Sequence, residues 1–209
     1  KSTSQLEVNL AIRSPGTYRA YLPGSSIKGA IRTAVLAAIA DIKNVRTVQR
    51  GKEKLFENNL LHIRDAKQDP FRCLKITDAL LPDHSTYIDS AMIYKPGRNI
   101  SGSDPSGIQM FYEQIFSLAD QEQIYADGFL TLNNTVADKT FYDRRQKIQQ
   151  KAVPMKIPPE LIIKSCRDFY LTNMQKEHEN FYQENDELSL NNTYLLNIKY
   201  SENEFPVRL

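Results

Sequence analysis

A short run at residues 22–32, LPGSSIKGAIR, brings together residue types that suit an anion. Gly24 is followed by two serines at the point where a helix is expected to begin. A helix start offers unpaired backbone N–H groups and the positive end of the helix dipole, which together favour a phosphate group. Lys28 and Arg32 are four residues apart and share one helical face. The run therefore predicts a basic surface that can follow a nucleic-acid backbone.

The same residues have a plainer explanation and a more specialised one. Ser25 or Ser26 could simply cap the helix, with the basic pair on a solvated face. Gly24 and Gly29 also have the spacing of a nucleotide-binding P-loop. However, Ala30-Ile31 stands where that loop requires Lys and Ser or Thr, so the P-loop hypothesis is rejected.

The elements that must position this run include both strand and helix patterns. Residues 6–12 alternate apolar and polar side chains as a half-buried strand does, and apolar residues recur at helical spacing from Ile27 to Ile39. A second amphipathic helix is expected from Pro158-Pro159 towards Tyr182. Because the strands cluster in neighbouring pairs, the sequence predicts an α+β fold. The other strand-like segments are 71–81, 86–95, 108–117, 123–133 and 194–200.

Composition excludes several classes of function. The 209 residues carry a formal net charge of +2, so any attraction for nucleic acid must be local. The longest apolar stretch, 34–40, is far shorter than the roughly 20 residues of a membrane span. Cys73 and Cys166 stand alone, and the first residues, KSTSQ, lack the apolar core of a signal peptide, so the cytoplasm is the expected compartment. His62, His84 and His178 are scattered, so no metal site or other cofactor site is expected.

A second basic cluster follows the aromatic pair Phe141 and Tyr142. It consists of Arg144, Arg145, Lys147, Lys151 and Lys156. It could meet RNA or an acidic neighbouring protein, or it could be the solvated face of a helix. The aromatic pair could stack on bases, but we expect one ring to lie in the core.

Residues 21–33, YLPGSSIKGAIRT, closely resemble the signature of the CRISPR repeat-associated mysterious protein (RAMP) superfamily. Together with residues 69–78, DPFRCLKITD, they look most like the fifth Csm subunit of type III-A effector complexes. The resemblance implies a ferredoxin-like (RRM-like) fold with insertions, incomplete at both ends. The RNA-binding region would span residues 1–209, with a smaller helical or α+β subdomain around 135–190. The implied RNA-binding residues are Gly24, Ser25, Ser26, Lys28, Arg32 and, in the loop 95–107, Arg98.

The resemblance also implies a function and partners. The chain would bind guide RNA (crRNA) without cleaving it, cap the complex near the crRNA 3′ end, and support crRNA maturation and antiviral defence. Its partners would be crRNA, the backbone and small Csm subunits, and host nucleases. Two alternatives stay open: a RAMP endoribonuclease that uses Asp69, Asp78 or Asp83, and an adaptor that recruits a nuclease through protein contacts.

Overall fold

A computed structural model describes residues 8–45, 47–91, 110–115, 124–144, 146–177, 179–180, 197–198 and 206–208. Strands and helices are both present, so the expected α+β class is confirmed. The chain divides into two compact units. The first contains Lys1–Leu22 and Ala79–Asp127, and the second contains Pro23–Asp78 and Gly128–Leu209.

The elements are short, apart from two helices of 19 residues each. The strands are β1 (Val8–Asn9), β2 (Tyr21–Leu22), β3 (Leu74–Ile76), β4 (Ala79–Leu80), β5 (Thr86–Ala91), β6 (Met110–Ile115), β7 (Asp127–Leu132), β8 (Thr140–Asp143), β9 (Ile148–Lys151), β10 (Asn197–Ile198) and β11 (Pro206–Arg208). The helices are α1 (Gly24–Ile42), α2 (Glu53–Leu61), α3 (Asn134–Ala137) and α4 (Pro159–Glu177), with 3₁₀ turns at Ala66–Gln68 and Pro70–Cys73.

The first unit is built from strands. β6 lies between β1, to which it is parallel, and β5, to which it is antiparallel. β2 pairs antiparallel with β4, and β4 pairs at Leu80 with Asp127. The buried carboxylate of Glu113 accepts hydrogen bonds from Arg13, the Thr86 hydroxyl and the Ala11 amide, so it ties β6 to β5 and to the residues after β1.

The second unit buries one face of α1 against α4. Ile31, Ala34 and Val35 are fully buried, as their helical spacing predicts, and Ile162 and Cys166 are buried on α4. The Tyr170 hydroxyl donates a hydrogen bond to the Ala30 carbonyl oxygen at 3.0 Å. Beside the helices, β3 pairs antiparallel with β7, and β8 pairs with β9 as a two-stranded hairpin.

Two segments differ from the sequence prediction. Residues 71–81 do not form one strand, because Asp69 and Pro70 start a 3₁₀ turn that delays β3 until Leu74. A mostly polar helical pattern over residues 43–62 also predicts that helix continues after α1. However, Asn44 has a φ of 53° and Gly51 a φ of 81°, which a right-handed helix does not accommodate. Among the described residues of 43–62, Glu53–Leu61 is the helical segment.

Candidate nucleic-acid interface

The start of α1 is set by Pro23 and not by a serine. Pro23 has extended backbone angles and is the N-cap residue, without a side-chain hydrogen bond. Its carbonyl oxygen accepts from the amides of Ser26 at 2.9 Å and Ile27 at 3.1 Å. The expectation that Ser25 or Ser26 caps the helix is therefore wrong. Both serines lie in the first turn of α1, and both are exposed.

Gly24 brings α1 directly onto the backbone that follows β3. A Cβ atom at this position would lie 2.3 Å from the Ile76 carbonyl oxygen and 2.7 Å from that of Thr77. The Gly24 amide donates to Asp78 Oδ1 at 2.7 Å. Gly24 is thus buried by a close approach of two backbone segments, and its N–H group is bound by a carboxylate of the same chain.

The two basic residues of the run also bind groups of their own unit. Lys28 Nζ donates to the Leu74 carbonyl oxygen at 2.7 Å, which joins α1 to β3. Arg32 donates from Nη1 to Asp69 Oδ2 and from Nη2 to Glu57 Oε2, each at 2.7 Å. Its guanidinium carbon lies 4.8 Å from the centre of the Phe71 ring. Both basic side chains therefore brace α1 against its neighbours.

The electrostatics of Arg32 follow from these contacts. Burial alone would lower the pKa of Arg32, but the hydrogen bonds and negative charges of Glu57 and Asp69 outweigh it. The pKa consequently lies above its ordinary value. Arg32 stays charged, and much of that charge is balanced locally by two carboxylates.

The three aspartates considered for catalysis have different surroundings. Asp69 Oδ1 accepts from the Phe71 amide at 2.9 Å and so caps the second 3₁₀ turn. Asp78 holds the amide of Gly24. Asp83 belongs to the first unit, where its exposed side chain lies 3.4 Å from Arg19 Nε. Sequence reasoning missed the structural role of Asp69, although Asp before Pro is a recognised start of a turn.

The remaining candidate residues lie apart from the start of α1 in sequence. Arg98 and Arg145 lie outside the described residues. Arg144, Lys147 and Lys151 are exposed on the β8–β9 hairpin, so a helix at this cluster is excluded. Lys156 pairs with Asp138 at 2.5 Å. The expected burial of one ring of the aromatic pair is wrong, because Phe141 is 43% and Tyr142 is 55% exposed.

Other kinds of site find little support in the described part of the chain. There, no group of His, Cys, Asp or Glu side chains is arranged to hold a metal ion. Neither is any of its helices both long and apolar enough to cross a membrane. Cys73 and Cys166 are free and buried, and burial raises the pKa of Cys166 to about 11. A buried thiol with a raised pKa is a poor nucleophile.

Comparison with known proteins identifies the family. The RAMP superfamily model matches residues 4–202, so the chain belongs to the RAMP superfamily. Within that superfamily it is similar to Csm5, as the sequence motifs predict. A protein of Methanocaldococcus jannaschii described as "CRISPR system Cms protein Csm5" is 39% identical over 90 residues, which cover 38% of this chain and 20% of the relative.

Two solved structures share the fold. One is a chain of a Csm–crRNA–target RNA ternary complex of a type III-A CRISPR-Cas system, with a TM-score of 0.56 and 16% identity. The match covers 88% of this chain and 55% of that one. The other is Csm5 of T. onnurineus, with a TM-score of 0.56 and 15% identity over 94% of this chain and 67% of that one. The chain thus spans only part of the length of these relatives.

Proposed function

We propose that the chain is the RNA-binding part of a Csm subunit in a type III-A CRISPR effector complex, and that it binds crRNA without cleaving it. The match to the RAMP superfamily across residues 4–202 carries the proposal. The similarity to Csm5 and the shared fold with a chain of a Csm–crRNA–target RNA complex support it.

The finer parts of the proposal follow the similarity to Csm5. The subunit would cap the complex near the crRNA 3′ end and contact the backbone and small Csm subunits. It would also support crRNA maturation by host nucleases, and thereby antiviral defence. A ferredoxin-like arrangement is proposed for the second unit, where the packed pair of α1 and α4 lies with the β3–β7 strand pair.

The proposed RNA-binding surface is the first turn of α1. Ser25 and Ser26 are exposed at the positive end of a 19-residue helix, where phosphate oxygens can accept their hydroxyl protons. Lys28 and Arg32 follow this turn along α1 and would contribute positive charge. Gly24 would fix the position of the turn through its close approach to Ile76 and Thr77. Arg98, which lies outside the described residues, is proposed to add a further contact.

The test places negative charge in the first turn of α1, where it repels phosphate but stabilises the helix. Ser25→Glu with Ser26→Glu places carboxylates where the helix dipole stabilises them, so folding is expected to be unaffected. Phosphate binding should weaken by about tenfold or more, because charged hydrogen bonds are lost and repulsion is added. The measurement is filter binding of a labelled crRNA to the purified chain.

The control for this test is Thr172→Glu with Asn173→Glu, which adds the same charge on the exposed surface of α4. Its affinity should stay close to that of the unsubstituted chain. Equal loss in both double variants would mean that the first turn of α1 is not a specific RNA contact. Absence of RNA binding by the unsubstituted chain, with retained binding of Csm subunits, would favour the adaptor alternative.

A binding role without cleavage is supported by the surroundings of the aspartates. Asp69 and Asp78 each accept a hydrogen bond from a backbone amide, and Asp69 also binds Arg32, so both carboxylates have structural roles in the fold. We expect labelled crRNA and target RNA to stay intact with the chain and Mg²⁺. Metal-dependent cleavage that Asp83→Asn abolishes would instead establish the endoribonuclease alternative.

A further inference from the structure

A groove of about 620 Å³ lies within the second unit, away from the first turn of α1 in sequence. One wall is the segment that carries the two 3₁₀ turns, with Arg64, Lys67 and Arg72. The other wall is one face of the β8–β9 hairpin, with Phe141 and Gln150. This volume is large enough for a nucleotide-sized ligand.

The hairpin register explains which side chains reach the groove. Phe141 is paired with Gln150, and Asp143 with Ile148, so these four residues share one face of the hairpin. Phe141, Asp143 and Gln150 line the groove. Tyr142 is exposed on the opposite face. An apolar ring that is 43% exposed therefore lies in a groove whose other wall is basic.

In the part of the chain that the structure describes, the groove cations lack the carboxylate partners that Arg32 has on α1, although Arg72 Nη1 donates to the Lys67 carbonyl oxygen. Within the described residues, Arg64, Lys67 and Arg72 form no ion pair. The two carboxylates of the groove are bound by donors of the same chain. Asp65 accepts from the Lys67 amide at 2.9 Å, and Asp143 accepts from Gln150 Nε2 at 3.2 Å. These donors are neutral, so both carboxylates keep their negative charge, and the groove lining carries three positive and two negative side chains. The cations therefore outnumber the carboxylates, and the groove favours an anion.

We propose that this groove binds an unpaired nucleotide of single-stranded RNA, with the phosphate beside the three cations and the base stacked on Phe141. The proposal rests on the RNA-binding function proposed above and adds a second contact to it. A base has a flat π-face that stacks on an aromatic ring, and this face is accessible only when the base is unpaired. The Oε1 atoms of Gln68 and Gln146 accept from the Arg64 amide and from Gln150 Nε2, and their side-chain N–H groups can donate to the edge of a base.

An acidic peptide is the competing occupant of a basic groove. It would use the cations but would gain little from stacking on Phe141. The exposed ring suits the face of a base, the side-chain amides suit its edge, and the three cations suit the phosphate. We therefore assign the groove to RNA and treat peptide binding as an outcome of the test.

The aromatic test compares Phe141→Ala with Tyr142→Ala in the full chain. The probe is a fluorescein-labelled single-stranded RNA of about 12 nucleotides, measured by anisotropy. Phe141→Ala should weaken binding by about tenfold, which is within the range for loss of one stacked base. Tyr142→Ala removes a similarly exposed ring from the opposite face and should change affinity less than about twofold. Phe141→Leu should behave like Phe141→Ala while retaining an apolar side chain.

The charge test compares two triple variants with equal loss of charge. One joins Arg64→Gln, Lys67→Gln and Arg72→Gln in the groove. The other joins Lys75→Gln, Lys164→Gln and Arg167→Gln, which are exposed outside it. We expect the groove variant to lose tenfold or more in affinity at low salt and the control variant to lose much less. Placing the label on crRNA or on target RNA identifies which strand supplies the nucleotide.

Each result has one meaning. If RNA binding responds to the serine variants of α1 but equally to Phe141→Ala and Tyr142→Ala, the groove proposal is overturned and the proposed function stands. If the unsubstituted chain binds no RNA, both proposals fail. If RNA affinity is unchanged but binding of a poly-glutamate peptide depends on Phe141 and Arg64, the groove is a protein-docking surface and not a nucleotide site.

Discussion

The side chain of Arg32 has a structural role in the second unit. Its two hydrogen bonds to carboxylates and its position over Phe71 connect α1 with α2 and with the second 3₁₀ turn. The four-residue spacing of Lys28 and Arg32 predicts that both side chains lie on one exposed basic face of a helix. That spacing is correct, but the acidic partners are 25 and 37 residues away along the chain, which no local pattern reveals.

We expect Arg32→Ala to lower the free energy of unfolding by about 2 kcal/mol, because charged hydrogen bonds are worth roughly that much and two carboxylates lose their partner. Urea unfolding followed by circular dichroism measures the change. Arg167→Ala is the matched control, since Arg167 is 72% exposed and pairs with Asp168 at 3.5 Å. Its removal should cost less than about 0.5 kcal/mol. Equal effects in both variants would contradict the bracing role of Arg32.

Cys166 gives the stability of the chain a dependence on alkaline pH. Burial raises its pKa from 9.0 to about 11, so the unfolded chain loses the thiol proton first as pH rises. The contribution of the protonated Cys166 thiol to the free energy of unfolding is fully present below pH 9. It should be lost between pH 9 and about 11, where the free energy of unfolding falls by up to about 1.4 kcal/mol per pH unit. Urea midpoints measured from pH 8 to 10.5 should fall more steeply for the unsubstituted chain than for Cys166→Ala. Parallel curves would contradict this assignment.

At the scale of elements, two glycines of α1 have opposite roles. Gly24 meets backbone carbonyl oxygens, whereas a Cβ at the exposed Gly29 would meet nothing within 4 Å. Gly24→Ala should therefore destabilise the chain, because α1 must move off the residues after β3. Gly29→Ala should stabilise it by about 1 kcal/mol through helix propensity. Thermal unfolding of both variants checks the pair, and destabilisation by Gly29→Ala would contradict this description of α1.

The sequence predicts elements well where their apolar spacing is long and regular. α1 and α4 each bury one face over 19 residues, so periodicity alone is enough to find them. The β8–β9 hairpin was missed because its strands have four residues each and expose both rings of the aromatic pair. The groove was missed for a related reason: its basic wall and its aromatic wall are about 70 residues apart in sequence.

At the scale of the whole molecule, charge is nearly balanced and attraction for RNA must come from a few positions. The chain has 27 basic and 25 acidic residues, and several of its arginines are paired internally. Family membership could be predicted from two short motifs, since these are contiguous in sequence. The sequence could not predict which cations lack an ion-pair partner, because ion pairing depends on contacts between residues that are far apart along the chain.

The near balance of charge predicts that the affinity for RNA depends only weakly on salt concentration. If about three phosphates of single-stranded RNA are neutralised, the logarithm of affinity should fall with the logarithm of salt concentration with a slope of about −2. Filter binding between about 50 and 200 mM salt measures the slope. A slope steeper than about −5 would show that many cations outside the groove and the start of α1 contact RNA.

Arg32 pairs with both Glu57 and Asp69, and this arrangement affects how the three positions can vary among related chains. One guanidinium pairs with both acids, so replacing Arg32 alone would leave two partly buried carboxylates without their counter-ion. A single substitution at any of the three positions should therefore be disfavoured, while joint replacement by uncharged residues should be tolerated. Among related chains, these three positions are expected to change together, as an inherited triad that crosses two helices and a turn.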